Sequence, residues 1–323
     1  MIERTVFSQD HLAFRDAFTK FVDKEIAPFH AEWEEQGYVD KSVWRKAGEN
    51  GFLCMTMPEA YGGSVDDKRY SVIQMEVLSA GGFSGIGFGL HSEIIAPYLL
   101  HYGTEAQKQK YLPKMVSGEM IGAIAMTEPA AGSDLQGIKT TAVRDGDDYI
   151  INGSKTFITN GWNADLVIVV AKTDPSAGAK GTSLFLVEAG TPGFEKGKRL
   201  RKLGLKAQDT SELFFQNVRV SADQLLGGEA QLNRGFIGLM EQLPWERLQI
   251  AIGAIAASQA VIDQTIQYVK DRKVFGHAVA AYQNTRYTLA ELQTEVQVAQ
   301  VFVDKCIELL LVDQLDTATA SMA

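Results

Sequence analysis

The fold of this chain is indicated first by the stretch Ile124-Ala125-Met126-Thr127-Glu128-Pro129-Ala130-Ala131-Gly132-Ser133-Asp134, where a short apolar run passes into a turn of small residues. This order predicts a strand that ends in a tight loop. Small residues let a backbone approach a flat ligand closely, and Thr127 and Ser133 add hydroxyls that can bond to ring nitrogens, carbonyls or phosphates. Taken alone, the stretch is more typical of an ordinary β-turn than of a binding site.

A second stretch of similar character is Lys155-Thr156-Phe157-Ile158-Thr159-Asn160-Gly161. Its aromatic, aliphatic and threonine side chains suggest a surface that covers one face of a ring system and hydrogen-bonds the edge of that ring. By itself this stretch also indicates no more than a strand and turn. The combination of both stretches, at this spacing, favours a binding site for a planar cofactor.

The pair resembles the flavin-binding segments of the acyl-CoA dehydrogenase family. In that family the first segment contains Thr-Glu-Pro-x-x-Gly-Ser-Asp after an aliphatic run, and the second has the form Trp/Phe-Ile-Thr-Asn. The resemblance extends from the first helix to the last residue, and it is strongest to the long-chain acyl-CoA dehydrogenases. It implies FAD as cofactor and acyl-CoA thioesters of fatty acid β-oxidation as substrates.

Composition limits the possible classes of protein. The 323 residues are 46% hydrophobic and 22% charged, which is ordinary for a folded aqueous protein of two or three domains. A net charge of -9 argues against a nucleic acid as main partner. A run of basic residues predicts a solvated loop, with a CoA 3′-phosphate as the alternative ligand; its members are Lys196, Lys198, Arg199, Arg201 and Lys202.

The two cysteines, Cys54 and Cys306, lie too far apart in sequence to suggest a disulfide framework, and no Cys/His spacing suggests a metal site. The residues after Met1 contain no apolar run suited to a signal peptide or to a membrane span. We therefore expect a cytoplasmic protein in a reducing compartment.

The first part of the chain predicts helices. Apolar residues recur at helical spacing after Ser8, and Thr104 to Gln107 has the form of a capping box. From about Ile121 the pattern changes to short β-branched and aromatic runs separated by Gly, Asp and Asn, which favours an antiparallel β-domain, a barrel or a sandwich. Its expected strands are 124–126, 140–144, 149–152, 155–159, 166–172, 182–188 and 213–220.

After Gly227-Gly228 the helical period returns, with long helices expected over 236–243, 246–272 and 282–311. Their apolar residues lie on several faces, so they must be covered by each other and by another subunit. The predicted fold class is α+β, with an N-terminal α-helical domain (1–122), a middle β-domain (123–230) and an incomplete C-terminal helical bundle (231–323). Family members continue beyond Ala323, so the resemblance implies a C-terminally truncated chain.

A further candidate stretch is Leu243-Pro244-Trp245-Glu246-Arg247-Leu248. Pro244 suits the first turn of a helix, and a glutamate in that turn is favoured by the helix dipole, so spacing alone predicts a structural role for Glu246. The family resemblance changes this interpretation. In the long-chain and isovaleryl subgroups, the glutamate of a Leu-x-x-Glu-Arg-Leu segment removes the α-proton of the substrate while the β-hydrogen leaves as hydride to flavin N5. Glu246 is thereby expected to be the catalytic base.

The resemblance also assigns binding roles. Residues that match flavin-contacting positions are Ile124, Met126, Thr127, Ser133, Phe157, Ile158 and Thr159. Those that match the segment reaching the FAD of a neighbouring subunit are Arg272, Phe275 and Gln283, although a helix C-terminus closed by Gly276 would also explain that segment. Expected substrate contacts are Ser133, Ile237, Pro244, Trp245 and Arg247.

The family further implies an electron-transfer flavoprotein as acceptor and a tetrameric or dimeric assembly. Three alternatives remain open at the level of sequence. An acyl-CoA oxidase would pass the electrons to oxygen, an isovaleryl-type enzyme would prefer a branched short chain, and a silent scaffold would bind flavin or CoA without catalysis. Solvent access to the flavin distinguishes the first of these from a dehydrogenase.

Overall fold

The computed structural model describes residues 2–323. The helices are α1 (Gln9–Glu25), α2 (His30–Gln36), α3 (Lys41–Glu49), α4 (Arg69–Ala80), α5 (Phe88–Leu90), α6 (Ala96–Tyr102), α7 (Glu105–Val116), α8 (Gly235–Asp271), α9 (Gln283–Leu311) and α10 (Thr317–Met322). A π-helical turn, His91–Ile95, joins α5 to α6. The strands are β1 (Gly122–Ala125), β2 (Thr141–Asp145), β3 (Asp148–Thr159), β4 (Leu166–Lys172), β5 (Thr182–Glu188), β6 (Phe194–Arg199), β7 (Thr210–Ser221), β8 (Lys273–Val274) and β9 (His277–Ala278).

The predicted order of helical, β and helical segments is confirmed. The predicted capping box is also confirmed, since the Thr104 side chain accepts from the backbone N–H of Gln107. The Asp316 side chain caps α10. No helix among residues 2–323 is long and apolar enough to cross a membrane. The domain boundaries at 122 and 230 stay a prediction.

The chain forms two compact units. One comprises Met1–Lys24, Asp67–Phe83 and Leu243–Ala323, and the other comprises Glu25–Asp66 and Ser84–Gln242. The first unit has a core around Trp245, Leu248 and Ile252 of α8.

The second unit is built on a seven-stranded sheet in the order β1-β4-β2-β3-β7-β6, with β5 on β4. Strand β4 is buried along its whole length, and its residues alternate between two cores. Leu166, Ile168 and Val170 pack into one core with α6 and α7, whereas Val167 and Val169 pack into the other. This period of two is the signature of a strand covered on both faces.

The sheet differs in detail from the predicted antiparallel domain. β1 and β2 each pair with β4 in parallel, while the other pairings are antiparallel. The two runs predicted at 149–152 and 155–159 form one bulged strand, β3. The helices predicted at 236–243 and 246–272 are likewise one helix, α8, with Pro244 inside it.

Candidate active site

The two stretches singled out in the sequence are neighbours in space. Chain segment 126–127 continues from β1 and lies beside the C-terminal half of β3. The backbone N–H of Thr156 donates to the carbonyl oxygen of Thr127 at 2.9 Å, and the Lys155 ammonium donates to the carbonyl oxygen of Met126 at 2.9 Å. Two segments that are about 30 residues apart in sequence therefore form one continuous edge.

Phe157 is the most unusual residue on this edge. It lies at an irregularity in the β3–β7 pairing, has φ of 58°, and leaves 66% of its surface exposed. A bulky residue in the left-handed region costs on the order of 1–2 kcal/mol, and such strain clusters at functional sites. The backbone thus holds an aromatic ring outward at an energetic cost that core packing does not explain.

Three hydroxyls accompany this ring. Thr127 and Thr159 are half-buried, and Ser133 is exposed in the small-residue loop that follows Thr127. Within residues 2–323 none of the three side chains makes a hydrogen bond. We call Thr127, Ser133, Phe157 and Thr159 the candidate edge, because together they offer an aromatic face and unoccupied hydroxyls to a ligand.

Two of the predicted flavin contacts have side chains that point elsewhere. Ile124 packs in the core against α6 and α7, and Ile158, only 2% exposed, packs in the core on the other side of the sheet. The expectation that the Ile158 side chain covers a ring face is wrong, because strand alternation turns it inward between Phe157 and Thr159. Only the backbone of Ile158 is left to face a ligand.

Sequence reasoning missed an ion pair that lies under the candidate edge. The Glu128 carboxylate and the Lys155 ammonium are 2.9 Å apart, with side chains 5% and 0% exposed. Glu128 also accepts from the backbone N–H groups of Lys139 and Thr140, at 2.6 and 2.9 Å. The available signal was a lysine between β-forming residues, because a lysine in a buried strand requires a partner.

Glu246 lies in the interior of α8, eleven residues after its first residue, Gly235. The dipole argument for a first-turn glutamate is therefore wrong, because the dipole acts within the terminal turn. The Glu246 side chain is half-buried. Its neighbours anchor the helix: Trp245 is 6% exposed in the core with the Lys68 ammonium 4.7 Å above its ring, and Arg247 donates to the Ser321 hydroxyl at 3.1 Å.

Ile237 lies in the part of α8 that belongs to the sheet-containing unit and is 46% exposed. The Tyr102 hydroxyl holds this part of the helix by donating to the Glu241 carboxylate at 2.7 Å. Desolvation and that carboxylate raise the pKa of Tyr102 to about 12, so the phenol remains a donor at neutral pH. Pro244, at the next turn, is half-buried.

Arg272, Phe275 and Gln283 belong to the other unit and surround the β8–β9 hairpin between α8 and α9. Phe275 is 94% exposed with φ of 50°, and Gly276 follows with φ of 82°. The hairpin is held by the Val279 N–H, which donates to the Arg272 carbonyl at 2.8 Å, and by the Tyr282 hydroxyl, which donates to Val274 O at 3.0 Å. The hairpin thus presents its aromatic residue to the outside.

The basic run forms a loop only in part, since Arg201 and Lys202 follow the end of a strand that contains the other three cations. Residues 194–199 are strand β6, and three of the five cations bind backbone carbonyls: Lys196 those of Trp162 and Ala164, Arg199 that of Gln36, and Lys202 that of Gln208. Arg199 also stacks between the rings of Tyr38 and Trp162. These contacts give the three side chains structural roles and leave Lys198 and Arg201 exposed.

Known proteins resemble this chain along nearly its whole length. The N-terminal, middle and C-terminal domains of acyl-CoA dehydrogenases match residues 8–119, 123–218 and 233–323. The mouse (Mus musculus) long-chain specific acyl-CoA dehydrogenase is 50% identical over 99% of this chain and 74% of its own. An isovaleryl-CoA dehydrogenase from Pongo abelii is 40% identical over 92% of this chain and 70% of its own.

Among solved structures, an acyl-CoA dehydrogenase from Geobacillus kaustophilus superposes with a TM-score of 0.96 at 49% identity, covering 99% of this chain and 84% of its own. Domain matches, sequence identity and superposition thus agree along the chain. The protein belongs to the acyl-CoA dehydrogenase family of FAD-dependent oxidoreductases.

Proposed function

We propose that the protein converts long-chain acyl-CoA thioesters to trans-2-enoyl-CoA, with Glu246 as the base that takes the α-proton. FAD supplies the oxidising power, since it accepts the β-hydrogen as hydride when bound. The reaction balances because one proton and one hydride leave the substrate and a carbon–carbon double bond forms. The observation that carries this proposal is the meeting of segments 126–127 and 156–157 in one edge of a family member.

The residues of the candidate edge fit FAD. The exposed ring of Phe157 can stack on a flat aromatic system, and the hydroxyls of Thr127 and Thr159 can hydrogen-bond its polar rim. Ser133 lies in a loop of small residues that leaves room for a ligand at the backbone. Met126, half-buried directly after β1, adds an adaptable apolar contact beside them.

Glu246 is the expected base because its residue type and setting suit the chemistry. A carboxylate is a weak base, so the substrate must be acidified by polarising its carbonyl, and water must be kept from the site. The core packing of Trp245 and Leu248 fixes the turn of α8 that carries Glu246. Arg247, next to the base, is a guanidinium suited to a phosphate of the CoA part.

The preference for long chains rests on the 50% identity to the mouse long-chain specific enzyme, against 40% to the isovaleryl-CoA dehydrogenase. Ile237, half-exposed on α8, is the residue that we expect to contact the acyl chain, with Pro244 and Trp245 nearer the base. Branched short-chain substrates are the second candidate, since the isovaleryl subgroup shares the position of the base.

Two further assignments complete the proposal. An electron-transfer flavoprotein reoxidises the flavin, as the family resemblance implies. Arg272, Phe275 and Gln283 contact the FAD of a second subunit, which suits their position on an exposed hairpin with an outward aromatic ring. A guanidinium there matches a pyrophosphate in charge and shape.

A substrate series tests the proposed specificity. Turnover with an artificial electron acceptor is measured for butanoyl-, octanoyl-, palmitoyl- and isovaleryl-CoA, and the enoyl product is identified by mass. We expect the highest kcat/KM for palmitoyl-CoA. A preference for isovaleryl-CoA would replace the long-chain assignment, and hydrogen peroxide formed at the rate of turnover in air would indicate an oxidase.

A further inference from the structure

The Glu128–Lys155 ion pair is almost completely buried, with side chains 5% and 0% exposed. Such a pair is not an obvious source of stability, because the cost of desolvating two charges offsets their attraction, and apolar replacements are often as stable. Its hydrogen bonds give it a different role.

Lys155 joins β3 to the end of β1. Its ammonium donates to the carbonyl oxygen of Met126 and to the Glu128 carboxylate, both at 2.9 Å. The next residue, Thr156, donates its backbone N–H to Thr127. Lys155 therefore fixes the segment that carries Thr127 against β3. It does so two residues before Phe157, where the backbone of β3 adopts its left-handed conformation.

Glu128 closes the loop that carries Ser133. At the start of this loop, the backbone of Glu128 exchanges hydrogen bonds with Ala131, at 2.8 and 3.1 Å. At its end, the Glu128 carboxylate accepts from the N–H groups of Lys139 and Thr140. One residue thus holds both ends of segment 129–138, the start through its backbone and the end through its carboxylate, and the same carboxylate is bound to Lys155.

Each member of the pair acts on the pKa of the other. Burial lowers the pKa of Lys155 to about 8, against the opposing effect of Glu128. Burial alone would raise the pKa of Glu128, but Lys155 and the hydrogen bonds from residues 139 and 140 outweigh it and hold that pKa below its ordinary value. Another buried cation, Lys172, which is 5% exposed, interacts electrostatically with Glu128 and with Asp134 of the loop.

We propose that Glu128 and Lys155 are positioning residues for FAD: their ion pair holds Thr127, Phe157 and the Ser133 loop in the arrangement that binds the flavin. This inference rests on the proposed assignment of the candidate edge to FAD. It predicts that the pair contributes to cofactor affinity beyond its contribution to folding.

The test compares FAD affinity with stability in three variants. Lys155→Met removes the ammonium and leaves Glu128 buried without its cation, so the apoprotein loses stability. Glu128→Gln with Lys155→Met removes both charges and regains part of that stability, but it still lacks the donor to Met126. Lys110→Met breaks a half-exposed pair with Glu188 in the same unit and is the matched control.

Each variant is titrated with FAD, and the bound flavin spectrum and the urea midpoint of the apoprotein are recorded. We expect the FAD Kd to rise at least tenfold in both Lys155 variants, with an altered flavin spectrum, and to stay at the wild-type value in Lys110→Met. Recovery of wild-type affinity and spectrum in the double variant, or their retention in Lys155→Met, would overturn the proposal. If the wild type bound FAD tightly but did not oxidise acyl-CoA, the proposed enzymatic function would be refuted. The comparison of FAD affinities among the variants would still test the role of the ion pair.

Discussion

Phe157 offers a direct test of strain at the candidate edge. Phe157→Gly and Phe157→Ala remove the same ring, which is mostly exposed, so both lose the same small amount of packing. The variants differ in backbone strain, because only glycine adopts a φ of 58° without steric cost. The comparison therefore isolates the backbone from the side chain.

The expected difference follows from two opposing effects. A side chain with a Cβ in the left-handed region costs about 1–2 kcal/mol. Glycine loses additional backbone entropy on folding, which costs about 0.5–1 kcal/mol. The apoprotein of Phe157→Gly should be more stable than that of Phe157→Ala by about 1 kcal/mol, whereas glycine is ordinarily the less stable residue in a strand.

The assay is urea unfolding of both apoproteins, followed by titration with FAD. We expect FAD affinity to fall by a similar factor in both variants, because both lack the ring that we propose to stack on the flavin. Equal stability, or a more stable alanine variant, would refute the strain. Wild-type FAD affinity in both would show that the ring does not contact the cofactor.

Three other expectations follow from the structure. Burial lowers the pKa of the neutral His91 side chain to about 4, so the folded state is fully stable above the ordinary His pKa near 6.5 and loses stability as the pH falls toward 4. At about 1.36 kcal/mol per pKa unit, the free energy of unfolding of the wild type should fall by up to roughly 3 kcal/mol more than that of His91→Gln over this range. Parallel pH dependences of the two proteins in urea unfolding would contradict this. Gly48→Ala should destabilise by about 1–3 kcal/mol despite its place in α3, since a Cβ there would lie 2.2 Å from the Ser117 carbonyl oxygen, and a gain in thermal stability would refute that packing. Arg272→Ala should weaken FAD binding about tenfold without changing the unfolding midpoint, because we expect a charge-assisted phosphate contact; unchanged affinity would remove Arg272 from the site.

The elements that sequence predicts well are those with a strong local period or a local hydrogen bond. Helices α1, α8 and α9 repeat apolar residues at helical spacing, and the Thr104–Gln107 box is satisfied within one turn. The two stretches that contribute to the candidate edge are recognisable in the sequence for a similar reason, since each is a continuous run of residues.

Features that depend on distant contacts were not predictable in this way. Glu128 and Lys155 are 27 residues apart, and no local pattern links them. α8 continues through Pro244 because the flanking turns are packed, with Trp245 and Leu248 in the core, and this tertiary contact outweighs the helix-breaking tendency of proline. Strand β6 was missed because its cations suggested a solvated loop, although three cations of the run bind backbone carbonyls.

The central claim is that Glu246 removes the α-proton of an acyl-CoA bound beside FAD. Its most direct test is the anaerobic absorption spectrum of the flavin in the wild type and in Glu246→Gln, before and after addition of palmitoyl-CoA. Glutamine is nearly isosteric but cannot take the proton, so we predict bleaching in the wild type and, in the variant, a spectral shift from ligand binding without bleaching. Bleaching of Glu246→Gln at the wild-type rate would contradict the account.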